Sequence, residues 1–506
     1  MENARILKLA DSKPWDVIVV GAGNAALCAA LSAAEQGAKV LVLEKATLAD
    51  RGGNSTFTAG GFRFCHQGID DLRQDILDDM TSGEYESIGN LPPLSEESFM
   101  EVLMRVTEHN AEEDLARILI GQSRDTMRWM REHKIRFIPM FGRQSFKIEG
   151  KHHIYGGVNI EAVGGGWGLV DMLVTACERM GIVIRYETGL RDLIEDQKGR
   201  VIGVRAKGPD GYEDLHARAV VLACGGFESN PEMRVRYLGA GWDLARVRGT
   251  QHNTGDGINA ALRIGARPFG GWSSCHAVQW DISAPPYGDR VILDNFQKHS
   301  YPIGIVVNLE GKRFIDEGAD YRNHTYAKYG REVMKQPGRA AVQIFDAKTH
   351  DNVRDEYRIR EVTKATAETI EGLAEALDID VEGLKAEVTA YNSACRPGEY
   401  NPSILDGVKT RGLAVPKSNW ALPIDTPPYH GYVVTCGITF TFGGLKIDTD
   451  ARVLDLTDKP IPGLYAAGEL VGGLFYQNYP GGTGLLNGSV FGRLAGKNAG
   501  LLARPA

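Results

Sequence analysis

The segment Trp15-Asp-Val-Ile-Val-Val-Gly-Ala-Gly-Asn-Ala-Ala26 decides the fold. It begins with a short apolar, β-branched run, which is typical of a buried parallel strand. The glycine turn Gly21-Ala-Gly23 follows at once, and small residues then continue at helical spacing to Gly37. A second apolar run, residues 39–43, ends on Glu44. This order of strand, turn, helix and strand predicts a βαβ unit that binds a dinucleotide.

Each residue type in this unit suits a ligand that carries a pyrophosphate. Gly21 permits the tight turn, Gly23 lets the backbone approach a phosphate, and Ala26 still allows the helix to pack closely on the strand. The free N–H groups and the positive end of the helix dipole then face the phosphates. Glu44 can accept hydrogen bonds from both ribose hydroxyls. A plain βαβ unit with a glycine turn is the alternative. The predicted ligand contacts are Gly21, Gly23, Asn24, Ala25, Glu44 and Lys45.

The bulk properties describe a globular chain with more than one domain. Its 506 residues are too many for one compact core. The net charge of −8, with no long basic run, argues against nucleic acid as a partner. No run approaches the roughly 20 apolar residues of a membrane span. Met1-Glu-Asn-Ala-Arg5 lacks the layout of a secretory signal, so we expect a cytoplasmic protein.

The cysteines give no sign of a metal centre. The seven are scattered along the chain and never form CxxC or CxxCH. This excludes a c-type haem attachment and argues against a local zinc or iron–sulfur site. We therefore expect a chain with no metal or haem of its own.

Two later parts of the chain repeat the character of the first unit. Residues 190–214 alternate as in a β-meander, and a buried strand at 217–222 closes on a second glycine turn, Ala223-Cys-Gly-Gly-Phe227. Apolar strands and glycine turns return from Gly463 to the C-terminus.

Aromatic residues and irregular segments are more frequent between these parts, in residues 271–431. We therefore predict an α/β fold in which residues 1–270 and 432–506 form a Rossmann-like domain, with a parallel sheet plus a β-meander. Residues 271–431 would form an inserted α+β capping domain that closes over the site.

Three separated motifs resemble one group of flavoproteins. Gly21-Ala-Gly23 with Glu44 resembles their N-terminal FAD-binding motif, and Ala223-Cys-Gly-Gly-Phe227 resembles their second glycine turn. Leu464-Tyr-Ala-Ala-Gly-Glu469 resembles their C-terminal flavin motif, in which the acid meets the ribityl chain.

Further segments narrow the resemblance. Thr254-Gly-Asp-Gly257 and Gly443-Gly-Leu-Lys-Ile-Asp448 are similar to the fumarate reductase/succinate dehydrogenase flavoprotein family, which includes 3-ketosteroid Δ1-dehydrogenases. Within it, Asn478-Tyr-Pro-Gly-Gly-Thr-Gly484 and Asp316-Glu-Gly-Ala-Asp-Tyr-Arg322 look most like FAD-dependent tricarballylate dehydrogenases. The resemblance implies FAD as cofactor, with these further contacts: Gly53, Asn54, Ser55, Gly60, Gly61, Ala223, Gly225, Thr254, Gly255, Asp256, Gly468, Glu469, Gly484 and Leu485.

Three departures from the family pattern bear on chemistry. Asn54 stands near the histidine that holds FAD covalently in respiratory members, so we expect non-covalent FAD. Thr439 and Tyr479 stand where fumarate reductases have a histidine and an arginine that bind carboxylates. Fumarate is therefore a doubtful substrate, and the tyrosine resembles the one that polarises a carbonyl in ketosteroid dehydrogenases.

Arg322 is the predicted catalytic residue. Gly311-Lys-Arg-Phe-Ile-Asp-Glu317 resembles the segment that precedes the catalytic arginine of the family, which implies that Arg322 is a proton shuttle relaying through Glu317 or Asp320. Arginine is a weak base for this purpose, since its pKa is above roughly 12. Two alternatives stay open: Arg322 binds a substrate carboxylate as a bidentate fork, or it forms a structural ion pair.

The other predicted site residues would hold the substrate. Tyr479 would donate to a carbonyl or carboxylate oxygen, unless it is a core aromatic residue. An arginine straight after the Gly60-Gly61 loop, Arg63, suits an anionic substrate, and His276 falls near a carboxylate-binding histidine of the family. Thr439 and His324 complete the predicted substrate contacts.

These observations together predict an FAD-dependent oxidoreductase acting on CH–CH groups. We expect a dehydrogenase that forms a C=C bond in a polycarboxylic acid, tricarballylate-like to aconitate-like, by hydride transfer to flavin N5. Alternatives are an enzyme like 3-ketosteroid Δ1-dehydrogenase, one like fumarate reductase, and an FAD-binding subunit without substrate chemistry. The electrons of the reduced flavin must then pass to a separate acceptor, which is a quinone, oxygen or a redox protein.

Overall fold

The computed structural model describes residues 14–504. Its strands are β1 (Trp15–Val20), β2 (Val40–Leu43), β3 (Gly61–Phe62), β4 (Ile88–Asn90), β5 (Phe137–Pro139), β6 (Ser145–Ile148), β7 (Lys151–Ile154), β8 (Ile160–Ala162), β9 (Val183–Arg185), β10 (Gly189–Glu195), β11 (Val201–Gly208), β12 (Gly211–Leu222), β13 (Arg246–Val247), β14 (Pro268–Asp281), β15 (Ile305–Asn308), β16 (Ala341–Phe345), β17 (Lys364–Ala367), β18 (Tyr429–Leu445), β19 (Arg452–Leu454) and β20 (Pro460–Ala466). Its α-helices are α1 (Asn24–Glu35), α2 (Ile69–Leu72), α3 (Ser82–Glu86), α4 (Glu96–Val106), α5 (Glu113–Gly121), α6 (Ser123–Glu132), α7 (Gly165–Arg179), α8 (Pro231–Leu238), α9 (Asp256–Arg263), α10 (Arg322–Met334), α11 (Ala347–His350), α12 (Ile370–Ala376), α13 (Val381–Ala394) and α14 (Thr483–Ala503).

The larger sheet has a parallel part and an antiparallel part. Strands β20, β12, β1, β2 and β9 lie side by side in this order and pair in parallel. Strands β10, β11 and the first half of β12 pair antiparallel. The long β12 joins the two parts because its second half continues between β1 and β20. The predicted α/β fold, a parallel sheet plus a β-meander, is confirmed.

Helices α1 and α14 pack directly on each other through small residues. Gly488, Gly492 and Gly496 recur every four residues along α14 and therefore share one face. A Cβ atom at Gly492 or Gly496 would collide with the carbonyl oxygen of Ala25 or Ala29 on α1. The glycines thus allow the backbones of α1 and α14 to be in contact, and the N-termini of the two helices therefore lie close together.

A second sheet is built around the long strand β18. Strands β13, β14, β16 and β17 all pair with β18, and β15 pairs with β16. Helices α12 and α13 cover this sheet with a core of its own, in which Leu373 and Leu384 pack with Ile305 and Val342.

The predicted domain boundaries fall inside strands of this second sheet. Strand β14 runs through position 270 and β18 runs through position 431. The sheet is therefore continuous across both positions, and the division into 1–270, 271–431 and 432–506 stays a prediction.

Two segments differ in detail from their local sequence pattern. The region 68–135, expected to be mainly helical, contains α2 to α6 but also β4. The helical patch expected at 366–394 begins as β17 and is then split into α12 and α13. The first five residues, on which the signal-peptide prediction rests, lie outside the described residues. Within residues 14–504, no helix has the length and apolar character that a bilayer crossing requires.

Candidate active site

One cavity runs along the carboxyl ends of the parallel strands. Val20, Leu43, Ala223 and Ala467, which end or directly follow β1, β2, β12 and β20, form part of its lining. Turns that follow parallel strands meet at one edge of the sheet, so residues far apart in sequence line one cavity. The cavity continues to the second sheet, where residues of β14 and β18 line it.

Most of the residues predicted to bind the cofactor line this cavity. They are Gly21, Gly23, Asn24, Ala25, Glu44, Lys45, Gly53, Asn54, Ser55, Gly61, Ala223, Gly225, Asp256, Gly468, Glu469, Gly484 and Leu485. Three others lie next to it. Gly60 packs on the backbone of Gly165, Gly255 precedes α9 in a left-handed conformation, and Thr254 accepts a hydrogen bond from Lys45 Nζ at 2.6 Å.

Glu44 is fixed at the end of β2 by backbone hydrogen bonds. The N–H of Ala22 donates to Oε2 at 2.9 Å, and the N–H of Ala46 donates to Oε1 at 2.7 Å. Burial outweighs these hydrogen bonds and raises the pKa of Glu44. Each carboxylate oxygen keeps a further lone pair, so Glu44 can still accept from the hydroxyls of a ligand.

Three helices point their N-termini at the cavity. Gly23, Gly255 and Gly482 precede α1, α9 and α14, and within the described chain none of these caps is closed by a side chain. First-turn N–H groups without a cap, together with the positive dipole ends, favour negatively charged ligand groups. The cavity therefore suits phosphates and an anionic ring.

Asn54 joins the glycine loop to the second sheet. Its Nδ2 donates to Glu228 Oε1 at 2.5 Å and to the carbonyl of Thr439 at 2.7 Å, and its Oδ1 accepts from the N–H of Thr250 at 2.8 Å. Asn253 Nδ2 also donates to Glu228, at 2.6 Å. Sequence analysis missed Glu228, although it follows the second glycine turn directly.

Glu228 and Glu469 form a buried acid pair. Their carboxyl groups are close enough to affect each other's pKa, and the N–H of Thr441 donates to Glu469 Oε1 at 2.8 Å. Burial raises the pKa of both carboxyls, and the neighbouring Glu228 raises that of Glu469 further. Two like charges in contact cannot both ionise in a buried site, so the pair shares a proton.

Four predicted catalytic and substrate residues, Arg322, Tyr479, His276 and Thr439, come together on the cavity wall. The His276 ring packs against Tyr326 and Tyr479, with centroids 4.8 and 4.7 Å apart. Burial raises the pKa of Tyr479 well above its usual value, so its hydroxyl stays protonated. Both ring nitrogens of His276 are buried and have no hydrogen-bond partner in residues 14–504.

Arg63 and His324 do not line the cavity. Arg63 Nε donates to the carbonyl of Gly481 at 3.0 Å, and its Nη2 lies 3.1 Å from His324 Nε2. His324 Nδ1 in turn lies 3.1 Å from Asp320 Oδ1. These contacts fix the loop before α14 from behind, so the positions of Arg63 and His324 do not support the predicted substrate contact.

Arg322 is buried and directs its guanidinium toward uncharged partners. Its Nη2 donates to the carbonyl of Arg143 at 3.2 Å and to Gln144 Oε1, and its guanidinium lies 5.1 Å from the centre of the Tyr326 ring. Burial, followed by the charge of Arg354, lowers the pKa of Arg322 to about 10. A lowered pKa brings the guanidinium closer to the range in which it can exchange a proton.

The relay predicted from Arg322 through Glu317 or Asp320 has no direct hydrogen bond in the described residues and stays a prediction. Glu317 accepts from Arg313 Nε at 3.0 Å, and Asp320 accepts from Arg105 Nη1 at 2.6 Å. Each carboxylate is thus engaged with another arginine, and neither hydrogen-bonds to Arg322 within the part of the chain that the structure describes. Sequence proximity suggested the relay, but the turn before α10 points these side chains elsewhere.

Three further arginines line the same region and were missed from the sequence. Arg143 and Arg248 share the buried carboxylate Asp294, with Arg248 Nε donating to it at 2.8 Å. Arg354 donates from Nη2 to the hydroxyl of Tyr155 at 3.2 Å and leaves Nη1 without a partner in the described residues. We call Arg143, Arg248, Arg322 and Arg354 the guanidinium cluster. Within the described residues, its one salt-bridge partner is the carboxylate of Asp294, which Arg143 and Arg248 share. Glu161 and Glu356 also act by their charge on Arg143, but four guanidinium groups still leave an excess of positive charge on the side of Arg322 and Arg354.

Comparisons with known proteins agree with this geometry. A family model described as "FAD binding domain" matches residues 16–486. A probable fumarate reductase of Shewanella frigidimarina is 30% identical over 495 residues, covering 96% of this chain and 75% of that protein. A 3-oxosteroid 1-dehydrogenase of Mycobacterium tuberculosis is 30% identical over 360 residues, covering 66% of this chain and 62% of that protein. A solved structure, the open conformation of a flavocytochrome c3 fumarate reductase, superposes with a TM-score of 0.70 at 27% identity, covering 99% of this chain and 81% of that one.

The cavity fits FAD on features of its own. Glu44 suits a ribose, and the exposed N-termini of α1 and α14 suit a pyrophosphate and an anionic ring. FAD is therefore the cofactor that these residues hold.

Proposed function

Since this chain belongs to the FAD-binding flavoprotein family, with fumarate reductases and 3-oxosteroid dehydrogenases as relatives, and is an FAD-dependent oxidoreductase acting on CH–CH groups, we propose that its substrate is a polycarboxylic acid. The proposed reaction is the dehydrogenation of a tricarballylate-like acid to an aconitate-like acid. One observation carries this proposal: Arg322 and Arg354 are unpaired with any carboxylate in residues 14–504. An arginine buried without a counter-ion is costly, so an anionic ligand is expected to complete the site.

The substrate would be held by charge and by hydrogen bonds. Arg322 and Arg354 would bind carboxylate oxygens, since a planar guanidinium matches a carboxylate in a bidentate pair. His276 would donate one further hydrogen bond, because both of its nitrogens are free in the described residues. Thr439 Oγ1 lies 3.4 Å from Arg248 Nη1 and would complete the wall on the side of β18.

Proton transfer is assigned to Arg322. FAD, when bound, supplies the hydride acceptor. Arg322 would exchange the proton at the neighbouring carbon, because its pKa is lowered to about 10 by burial and by Arg354. The aromatic wall of Tyr326, Phe440 and Tyr479 would exclude water and so strengthen these charge contacts.

The rest of the proposal concerns the cellular setting. The chain has no CxxCH motif, so we assign electron transfer to a separate acceptor, which is a quinone, oxygen or a redox protein. A cytoplasmic location and a capping domain at 271–431 belong to the same proposal.

A 3-ketosteroid dehydrogenase is the second candidate, and one contact favours it. The hydroxyls of Tyr326 and Tyr479 lie 2.8 Å apart. A paired phenol can polarise a carbonyl oxygen. The guanidinium cluster argues for the acid, because a steroid ketone carries no charge to balance it. A fumarate-reducing activity is compatible with the same cluster.

An anaerobic titration of the FAD-loaded protein tests the proposal. Tricarballylate, succinate and a 3-ketosteroid are added separately, and loss of the visible absorbance of oxidised flavin is followed. We expect reduction by tricarballylate and a reduced apparent affinity for it in the variant Arg354→Met. Reduction by the ketosteroid alone would overturn the proposal, and the absence of any reduction would favour a binding subunit.

A further inference from the structure

A second, smaller cavity lies behind the guanidinium cluster. Arg322 and Arg354 line both cavities, so they stand between them. The remaining wall is mainly apolar, with the rings of Phe146 and Tyr155 stacked at 5.4 Å and with Trp420 and two prolines. Such walls suit the carbon atoms of a ligand, while the arginines suit its charge.

His299 is a buried polar residue that lines the small cavity and not the main one. It is 1% exposed, and neither ring nitrogen has a hydrogen-bond partner in residues 14–504. Its ring packs edge-on against Tyr326, with centroids 5.0 Å apart, which fixes its plane. A buried imidazole with no partner is unusual, because buried polar groups normally form hydrogen bonds.

The backbone ties His299 to Arg354. The N–H of Ser300 donates to the hydroxyl of Tyr357 at 2.7 Å, and the N–H of Arg354 donates to Ser300 Oγ at 3.0 Å. These two bonds hold the residue after His299 against the residue that carries the guanidinium. The two donors are therefore positioned relative to each other before any ligand binds, as a preorganised site requires.

Three residues that line the small cavity carry unused donor groups. Arg354 Nη1 and Arg322 Nε are buried and unpartnered in the described residues, like the nitrogens of His299. The ligand group that could accept hydrogen bonds from all of these donors is one with several lone pairs and a negative charge. A carboxylate has this character, since it accepts up to about four hydrogen bonds.

We propose that the small cavity is a carboxylate subsite that binds the substrate arm lying away from the reacting bond. This inference rests on the proposed acid substrate and deepens it. The enzyme would then select tricarboxylates over dicarboxylates, because a third carboxylate reaches His299 and Arg354 while the other two stay in the main cavity. His299 is thus a residue that determines specificity.

The alternative is that the small cavity is a solvent channel. Asn352, at its edge, is exposed, so the cavity reaches the surface. A solvent channel would not require three residues with unpartnered donor groups in its wall. It would also not distinguish acids by the presence of a third carboxylate.

Binding of three unsaturated acids, fumarate, mesaconate and trans-aconitate, distinguishes a carboxylate subsite from a solvent channel. None of them can reduce oxidised flavin. trans-Aconitate is fumarate with a carboxymethyl arm, and mesaconate is fumarate with a methyl group in the same place. Dissociation constants are measured from the change that each acid causes in the visible spectrum of the FAD-loaded protein. We expect trans-aconitate to bind at least about tenfold more tightly than mesaconate.

Two matched variants show whether the preference for trans-aconitate arises in the small cavity or in the main one. His299→Leu should remove the preference for trans-aconitate and leave fumarate and mesaconate binding unchanged. His276→Leu, in the main cavity, should weaken all three acids alike. Should His299→Leu fail to fold, His299→Gln and the wild-type comparison of trans-aconitate with mesaconate serve instead.

The outcomes distinguish this inference from the proposed function. Equal binding of trans-aconitate and mesaconate to the wild type, or an equal loss for all acids in His299→Leu, overturns the subsite alone. If none of the three acids changes the flavin spectrum, the acid substrate itself is wrong.

Discussion

The hydroxyls of Tyr326 and Tyr479 lie 2.8 Å apart and join two distant parts of the chain. Tyr326 is on α10, which carries Arg322 at its start, and Tyr479 is on the loop before α14, whose N-terminus faces the cofactor cavity. Burial raises the pKa of both phenols, so both are donors at neutral pH. The pair therefore fixes Arg322, the predicted proton shuttle, relative to the cofactor cavity.

Replacing Tyr479 by Phe should lower kcat/KM for the acid substrate by about 10- to 100-fold, because one hydrogen bond to a charged group is lost. FAD affinity should not change. The matched variant is Tyr326→Phe, which removes the partner but leaves the Tyr479 hydroxyl free to contact substrate, so we expect a smaller effect. Steady-state kinetics and FAD fluorescence titration measure both quantities. If both variants lower kcat/KM equally, the two tyrosines support the structure of the site and Tyr479 makes no separate contact with the substrate.

The cofactor half of the site could be predicted because its signals are local. Gly21, Gly23 and Glu44 occupy fixed places within one βαβ unit, and the spacing of that unit follows from strand and helix geometry. Their positions on the cavity needed no long-range information.

The substrate half could not be predicted in the same way. Arg354 and His299 lie on irregular segments with no sequence period, and the cavity wall that they share depends on how the second sheet folds. Arg63 is an example: its residue type suits an anionic substrate, but in the structure it does not line the cavity, because its guanidinium is held by the distant carbonyl of Gly481 and the ring of His324. A residue type suggests a role, but its partners decide it.

Arg322→Lys distinguishes the roles proposed for this residue. A proton shuttle predicts that kcat falls by at least about 100-fold while KM changes little, because lysine keeps the charge but not the position of the proton. A carboxylate ligand alone predicts a raised KM with kcat largely retained. The structural ion pair is disfavoured, since the hydrogen bonds of Arg322 go to uncharged acceptors.

Arg354→Lys is the control for charge in the same cluster. It should raise KM without the loss in kcat, and the solvent isotope effect on kcat should be unchanged. A large drop in kcat for Arg354→Lys with none for Arg322→Lys would transfer the proton role to Arg354.

Denaturing the purified protein should release all of its flavin. The side-chain amide of Asn54 forms hydrogen bonds with Glu228, Thr439 and Thr250. An amide also lacks the nucleophilic nitrogen that a covalent bond to FAD needs. After acid precipitation we expect yellow supernatant and a colourless pellet, measured by absorbance and by the mass of the intact chain. A pellet that stays yellow, with a mass increase equal to FAD, would contradict non-covalent binding.

His66 should make the protein less stable in mild acid. It is 3% exposed, its Nδ1 accepts from the N–H of Gly68 at 3.1 Å, and burial lowers its pKa from 6.5 to about 4. Between these two values the unfolded chain binds a proton that the folded chain does not, so stability rises with pH and falls as pH drops. At about pH 5 the loss from this residue is about 2 kcal/mol in the free energy of unfolding.

The variant His66→Gln removes this titration and should flatten the pH dependence between about pH 7.5 and pH 5, even where it lowers stability at neutral pH. Urea unfolding of the FAD-loaded protein, followed by tryptophan fluorescence, measures the slope. His216→Gln, at an exposed position of β12, is the control and should keep the wild-type slope. An unchanged slope in His66→Gln would mean that other groups carry the acid sensitivity. His276 and His299 are then the next to test, because burial lowers the pKa of both well below the usual histidine value.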